Sequence, residues 1–296
     1  MHTMKSDTYN LLATAQAKWA SGAGKNLDKK RADYVATLED NLFLGSLSPD
    51  TERDFKQGDG AELRDVGRRP AKMRALLSSS ALAVNVFDQW RTAGPRELSN
   101  ALGLDQPVTQ VQFEYKCSNY PVGPRSPNLD VLLTLAGGSR VAIESKFSEP
   151  YRSKARLELA AKYFETDGRW SGQGLHGSQR LANALRPDRP ANWHHLDVPQ
   201  LVKHMLGLSH DGPGRHYTLI YLWFDSGTPD ASRHRQEIDI FTGEVANDAV
   251  AFRSMTYQEF INRLRCGLGV QHSDYCSYLK GRYFPGMSIP PGMGLA

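Results

Sequence analysis

At 296 residues and 40% apolar content, the chain is long enough to bury a full core, as one enlarged domain or as a core with appended helices. Its net charge is only +4, so a polyanionic partner has to be argued from where the cations sit, not from their total. The three cysteines, Cys117, Cys266 and Cys276, make an odd set without Cys-x-x-Cys spacing, which argues against structural zinc and for a reducing, cytoplasmic setting.

The N-terminus, Met1 to Asp7, lacks a basic region followed by an apolar one, and no apolar run is longer than a strand. Neither a signal peptide nor a membrane span is expected. Residues 8–46 read as helical, with Trp19 and the series Tyr34, Leu38 and Leu42 spaced for one face, an accessory helical layer. Between Arg64 and Arg74 the chain places Arg64, Arg68, Arg69, Lys72 and Arg74 against Asp65 alone, a local surplus equal to that of the whole molecule. Such a run is either a solvated face or a phosphate contact. Residues 78–103 predict a helix with Leu82, Val86 and Trp90 inward, then a short second helix after Pro95. From Val108 to Cys117, Val111, Phe113 and Tyr115 alternate with Gln112, Glu114 and Lys116, the pattern of a strand with one wet face.

The next stretch is the most informative. Val131 to Leu135 is a continuous apolar run ending at Gly137-Gly138, and Val141 to Phe147 resumes it before Pro150 stops pairing. Buried strands normally exclude charge, yet Glu144 and Lys146 sit inside the second arm, two residues apart and therefore on one face. Folding the hairpin about the glycines brings Asp130 beside them. Parity adds a condition: a two-residue loop pairs Asp130 with Ser145 and points it to the wrong face, whereas a three-residue loop or a bulge near Asp130 corrects it.

Such a set suits metal-assisted phosphodiester hydrolysis. Mg2+ or Mn2+ takes oxygen ligands, and two carboxylates plus the Ser145 carbonyl supply part of an octahedron completed by water and phosphate. Lys146 would then orient the attacking water and stabilise the crowded transition state. Alone, Glu144-Ser145-Lys146 is equally an ion pair on a solvated strand face. The chain contains four acid-x-Lys triplets, starting at Asp28, Asp54, Glu114 and Glu144, and only the last follows a Pro-x-x-Asp strand across a tight turn.

Pro127-Asn128-Leu129-Asp130 followed by Glu144-Ser145-Lys146 resembles the core of the PD-(D/E)XK nuclease superfamily, the restriction-endonuclease-like fold. Asn128 and Leu129 separate Pro127 from the acid. In the RecB-like branches a helix after the third strand carries Gln-x-x-x-Tyr, and Gln200 with His204 one turn later offers the same face, His replacing Tyr. The strand Tyr217 to Phe224 follows, as the fourth strand of that fold would. Gly58 to Leu63 and Ser78 to Phe87 look like the first-helix region of bacterial proteins of this type.

The resemblance implies an α/β restriction-endonuclease-like core with a mixed central sheet flanked by helices over residues 58–230, an N-terminal helical extension over 1–57 and a C-terminal one over 231–296. It implies a Mg2+- or Mn2+-dependent hydrolase acting on DNA. Asp130 and Glu144 would be metal ligands, with Ser145 through its main chain and Glu62 as a further ligand from the first helix; Lys146 would position water, and Gln200 would contact the metal shell or phosphate. Glu114 ranks below Glu62. An inactive scaffold that binds nucleic acid, an RNA-directed nuclease and a homodimer that cuts both strands all remain open.

The rest of the chain is less regular. Residues 148–197 carry interrupting glycines and prolines around two short helical pieces, a substrate-selecting loop or lid. Arg152, Lys154 and Arg156 could hold phosphates flanking the scissile bond, Trp170 and Trp193 are packing anchors before they are base platforms, and His194-His195 is expected as a surface pair. Beyond Ala231 the expectation is a helix, a short strand at 249–252, helices near 257–264 and 273–280, and a loose Pro-rich tail.

Overall fold

The structure, a computed structural model, describes residues 6–58, 60–91, 96–124, 126–152, 157–189, 192–212 and 216–284. Lys154, Arg156, Pro95 and the Pro-rich tail lie outside the described residues.

Helix α1 (Asp7–Gly22) starts where the Ser6 hydroxyl accepts the Tyr9 N–H at 3.2 Å, and α2 (Pro49–Gln57) starts with Pro49 in its first turn after the Ser48 cap. Next come α3 (Ser79–Phe87), α4 (Arg96–Ala101) and the strands β1 (Val108–Lys116), β2 (Asn128–Leu135) and β3 (Arg140–Lys146). Helices α5 (His176–Ala184) and α6 (Val198–His210) lead to β4 (Tyr217–Trp223), α7 (Pro229–Val245), β5 (Ala251–Thr256), α8 (Tyr257–Gly267) and α9 (Ser273–Tyr283).

The five strands form one sheet in the order β1-β2-β3-β4-β5; β1, β2 and β3 pair antiparallel, while β4 lies parallel to β3 and β5 parallel to β4. This is a mixed sheet flanked by helices, the restriction-endonuclease-like α/β architecture. One sheet face packs against α2, where Phe55 stacks on Phe113 at 5.6 Å, and against Tyr257 at the head of α8, whose hydroxyl is 2.6 Å from Ser145 Oγ. The other face meets α6 and α7: His234 on α7 bonds the Tyr221 hydroxyl at 3.0 Å, and Phe241 packs on Phe252. A single apolar cluster runs from Tyr9 to Phe284, so the segments on either side of 58–230 share its core. Residues 231–296 also supply β5 to the sheet.

Several expectations shift. Helix does not continue from 8 to 46: α1 stops at Gly22, and the chain then turns back, with Leu27 bridging Val35 and Tyr34 bridging Ala75. Asp28 Oδ1 accepts the N–H groups of Lys30 and Arg31, a side-chain-closed turn that competes with helix. Glu62 is not on a helix, because α2 ends at Gln57 and residues 60–64 run as irregular chain. The 78–103 helix breaks after Phe87 into a 3-10 turn at 88–90. The last strand lies at 251–256, beyond the expected 249–252. In the 148–197 region α5 is the one α-helix among the described residues, Trp170 is buried, and His195 turns inward so that its ring nitrogen meets the Pro150 carbonyl at 2.9 Å.

Candidate active site

The hairpin register is set by its loop. Leu135 N–H bonds the Ser139 carbonyl at 2.9 Å, leaving Ala136, Gly137 and Gly138 as a three-residue loop with Gly138 at φ +83°. The pairs Val131↔Ile143 and Leu133↔Val141 follow, which brings Asp130 level with Glu144. On the other side Phe113↔Val131 and Tyr115↔Leu129 bring Glu114 level with Asp130. Three carboxylates therefore occupy one row across β1, β2 and β3, and Glu144↔Tyr221 extends the row into β4.

The row opens into a cleft of about 540 Å3 lined by Glu62, Lys72, Glu114, Asp130, Gln200 and His204, among others. Asp130 Oδ2 accepts the Ser145 N–H at 2.7 Å, and Oδ1 has no partner among the described residues. Glu144 is fully buried: one oxygen is held by the Lys146 ammonium and the other lies 2.9 Å from His204 Nε2. Glu114 Oε2 accepts from the Asn128 side chain at 2.7 Å, and its backbone takes φ +50°, an unusual conformation for a glutamate.

Electrostatics follow from crowding. Burial, and then the neighbouring Glu144, push the Asp130 carboxyl well above its ordinary range, while Lys146 pulls the other way. Burial likewise opposes ionisation of Glu144, but Lys146 and His204 outweigh it and hold that carboxyl low. Lys146 is raised against its own burial by Glu144 and Asp130. Burial lifts Glu114 to about 7, helped by Glu62 and Glu144 and opposed by the Asn128 hydrogen bond. In effect the row holds more negative charge than it can ionise unaided.

That surplus is the observation that fits a hard divalent cation. Asp130, Glu144 and Glu114 offer carboxylate oxygens, and Ser145 offers its main chain, since its side chain faces Tyr257 on the opposite side of the sheet. Among the described residues no group of three or more His, Cys, Asp or Glu side chains converges into a metal cage. Mg2+ does not need one, because it keeps several waters and takes one or two carboxylates. The donor types fit.

The other expected residues divide. Gln200 is near the start of α6, where Asp197 caps its N–H at 3.0 Å, and its side chain faces the cleft with no hydrogen-bond partner among the described residues. Glu62 reaches the cleft from the loop after α2, but both its oxygens are occupied, by Lys72 Nζ at 2.9 Å and Ser80 Oγ at 3.0 Å. Glu114 lies in the row itself, and its level position could have been found by counting registers outward from Asp130. Lys203, whose pKa burial lowers, also lines the cleft and carried no motif in the sequence.

A family model described as Restriction Endonuclease associating with ARP matches residues 10–284. The chain belongs to this restriction endonuclease family. The match spans the sheet, the acid row and the flanking helices, and it agrees with the resemblance to the PD-(D/E)XK superfamily. No curated protein and no solved structure gives a significant match. No helix among the described residues is long and apolar enough to cross a membrane.

Proposed function

We propose that the chain is a Mg2+- or Mn2+-dependent nuclease that hydrolyses phosphodiester bonds of DNA in the cleft above the acid row. The observation that carries the reading is that Asp130, which lines the cleft, stands level with Glu144, itself paired with Lys146, in a chain of the restriction endonuclease family. Asp130 and Glu144 hold the cation, with the Ser145 main chain beside them and Glu114 preferred over Glu62 as the extra oxygen donor. A bound cation supplies Lewis-acid polarisation of the scissile phosphate and acidifies the attacking water. Lys146 donates hydrogen bonds toward that water and the phosphate oxygens, where negative charge develops. Gln200 offers a neutral amide to orient a phosphate oxygen or water, and Lys72 adds positive charge at the cleft wall.

A second reading is a nucleic-acid-binding module without turnover. It is favoured by one observation: both Glu144 oxygens already have cationic or imidazole neighbours, Lys146 and His204. Incubation of plasmid, single-stranded DNA and RNA with the purified chain, with Mg2+, Mn2+ or EDTA, separates the two. Metal-dependent nicking of DNA, abolished in Asp130→Asn and Lys146→Ala, supports the nuclease. Equal activity in all three proteins identifies a contaminant and overturns it, and binding without cleavage favours the module.

A further inference from the structure

Outside the acid row, exposed positive charge gathers where two loops distant in sequence face each other across a groove of about 1240 Å3. One wall is the turn that Asp28 closes, which projects Lys29 and Lys30 into solvent. The other is a tight reversal in which Val66 and Arg69 exchange backbone hydrogen bonds of 2.9 and 3.0 Å around Gly67 at φ +58°. It exposes Arg64, Arg68 and Arg69.

The acids in this region are already committed. Asp65 Oδ1 accepts the Ala71 N–H at 2.8 Å, and Arg31 pairs with Asp33 at 2.8 Å. Arg74 clasps the two walls together: its guanidinium is 2.9 Å from Asp28 Oδ2 and 3.7 Å from Asp65 Oδ1, and its Nε donates to the Val35 carbonyl at 3.1 Å. Lys29, Lys30, Arg64, Arg68 and Arg69 have no acidic partner among the described residues. Lys29, Lys30 and Arg68 line the groove, with Arg64 and Arg69 exposed beside it on the same loop; five cations on walls tied together make a preorganised anion track and not a scatter of solvated charge.

The same loop enters the catalytic cleft. At its base Lys72 N–H bonds the Ala61 carbonyl at 3.2 Å and Met73 N–H the Glu62 carbonyl at 3.0 Å, and Glu62 and Lys72 line the cleft. Four residues lead from Glu62 to Val66 and reach at most about 14 Å even if drawn straight, and a duplex strand advances about 3.4 Å per nucleotide along its axis. The reversal thus stands within about four base pairs of Glu62 at the cleft. No aromatic ring lines the groove among the described residues, so it offers unpaired bases nothing to stack on.

We propose that this groove grips the phosphate backbone of duplex DNA within about four base pairs of the cleft, an inference that rests on the nuclease reading and extends it to substrate form and footprint. The test is fluorescence anisotropy of a labelled duplex of about 30 base pairs, titrated with full-length Asp130→Asn protein in EDTA over a range of KCl. Five phosphate contacts predict a log–log salt slope near −4.5, reduced by about three in Arg64→Ala/Arg68→Ala/Arg69→Ala and by about two in Lys29→Gln/Lys30→Gln, with affinity more than tenfold weaker in each. Arg180→Ala/Arg233→Ala/Arg263→Ala, which removes equal charge elsewhere, leaves the slope in place. The two groove variants alter exposed side chains on separate walls, so a folding defect in one does not remove the other. Unchanged slopes in both overturn the groove assignment, and the nuclease reading still stands if the unsubstituted chain cleaves DNA with Mg2+. Greater loss on the matching single strand or on an RNA duplex of the same sequence overturns the duplex-DNA assignment. Absence of both binding and cleavage removes both.

Discussion

His204 Nε2 lies 2.9 Å from Glu144 Oε2, with both side chains fully buried. The contact joins α6 to the centre of the sheet at the point where the superfamily resemblance would place a tyrosine. Lys146 bonds one Glu144 oxygen, while His204 approaches the other without hydrogen-bond geometry, so the pair compensates the buried carboxylate by proximity and loses that when the imidazole is removed.

His204→Ala is therefore expected to lower the free energy of unfolding by about 1–3 kcal/mol, the scale for leaving a buried polar group uncompensated, measured by urea denaturation without metal. His204→Gln, whose amide can donate to Glu144, should lose less. Equal losses in the two variants would show that the contact contributes only packing.

Asp130 predicts a pH dependence of opposite sign to that of an ordinary salt-bridged acid. Its folded pKa lies above its unfolded value, so the folded state holds the proton more tightly. That stabilisation is complete below the unfolded pKa of about 3.9 and is lost as pH rises through the folded value. Asp130→Asn keeps an oxygen for the Ser145 N–H and removes the charge. The metal-free variant should melt about 2–4 °C higher than the parent at pH 8, equivalent to about 1 kcal/mol, and gain nothing near pH 4. A variant destabilised at pH 8 would contradict the crowding argument.

Cation binding should reverse that ranking. Saturating Mg2+ or Mn2+ at about ten times its dissociation constant adds roughly 1.4 kcal/mol to the parent and little to Asp130→Asn. Thermal shift with and without EDTA reads this independently of turnover. A parallel shift in both proteins would place the ion elsewhere.

The thiols provide a check on packing. Burial pushes the Cys117 thiol up to about 12, while Cys266 is exposed and Cys276 is half-buried. Timed alkylation followed by peptide mass spectrometry should label Cys266 first and Cys117 only on unfolding. Early labelling of Cys117 would show that β1 and the start of the loop after it open in the native state.

The central hairpin was legible because β-strand parity is a rigid rule. Once Glu144 and Lys146 share a face, the three-residue loop with Gly138 at left-handed φ is the simplest way to bring Asp130 level with them. The amphipathic face of α6 was legible for the same kind of reason, and Gln200 and His204 do meet the cleft together. The N-terminal third was not. Tyr34, Leu38 and Leu42 have helical spacing, but Asp28 and the buried Asn41, whose amide donates to the Met73 and Ala75 carbonyls at 2.6 and 3.0 Å, fix that segment in turns through tertiary bonds no local pattern carries. Glu62 was assigned to a helix on likeness alone, and the residues around it, with Gly58 and Gly60, favour an irregular course. The alternation around Glu114 marks a wet face, and at that level the wet face is the cleft.

The turn Ala136-Gly137-Gly138 stands roughly 17 Å of strand from Asp130, touches none of the acids and has no chemistry of its own. Its length nevertheless decides on which side of the sheet the aspartate emerges. Gaining or losing one residue there would turn Asp130 to the opposite face, away from Glu114, Glu144 and the cleft, while leaving every carboxylate in the chain.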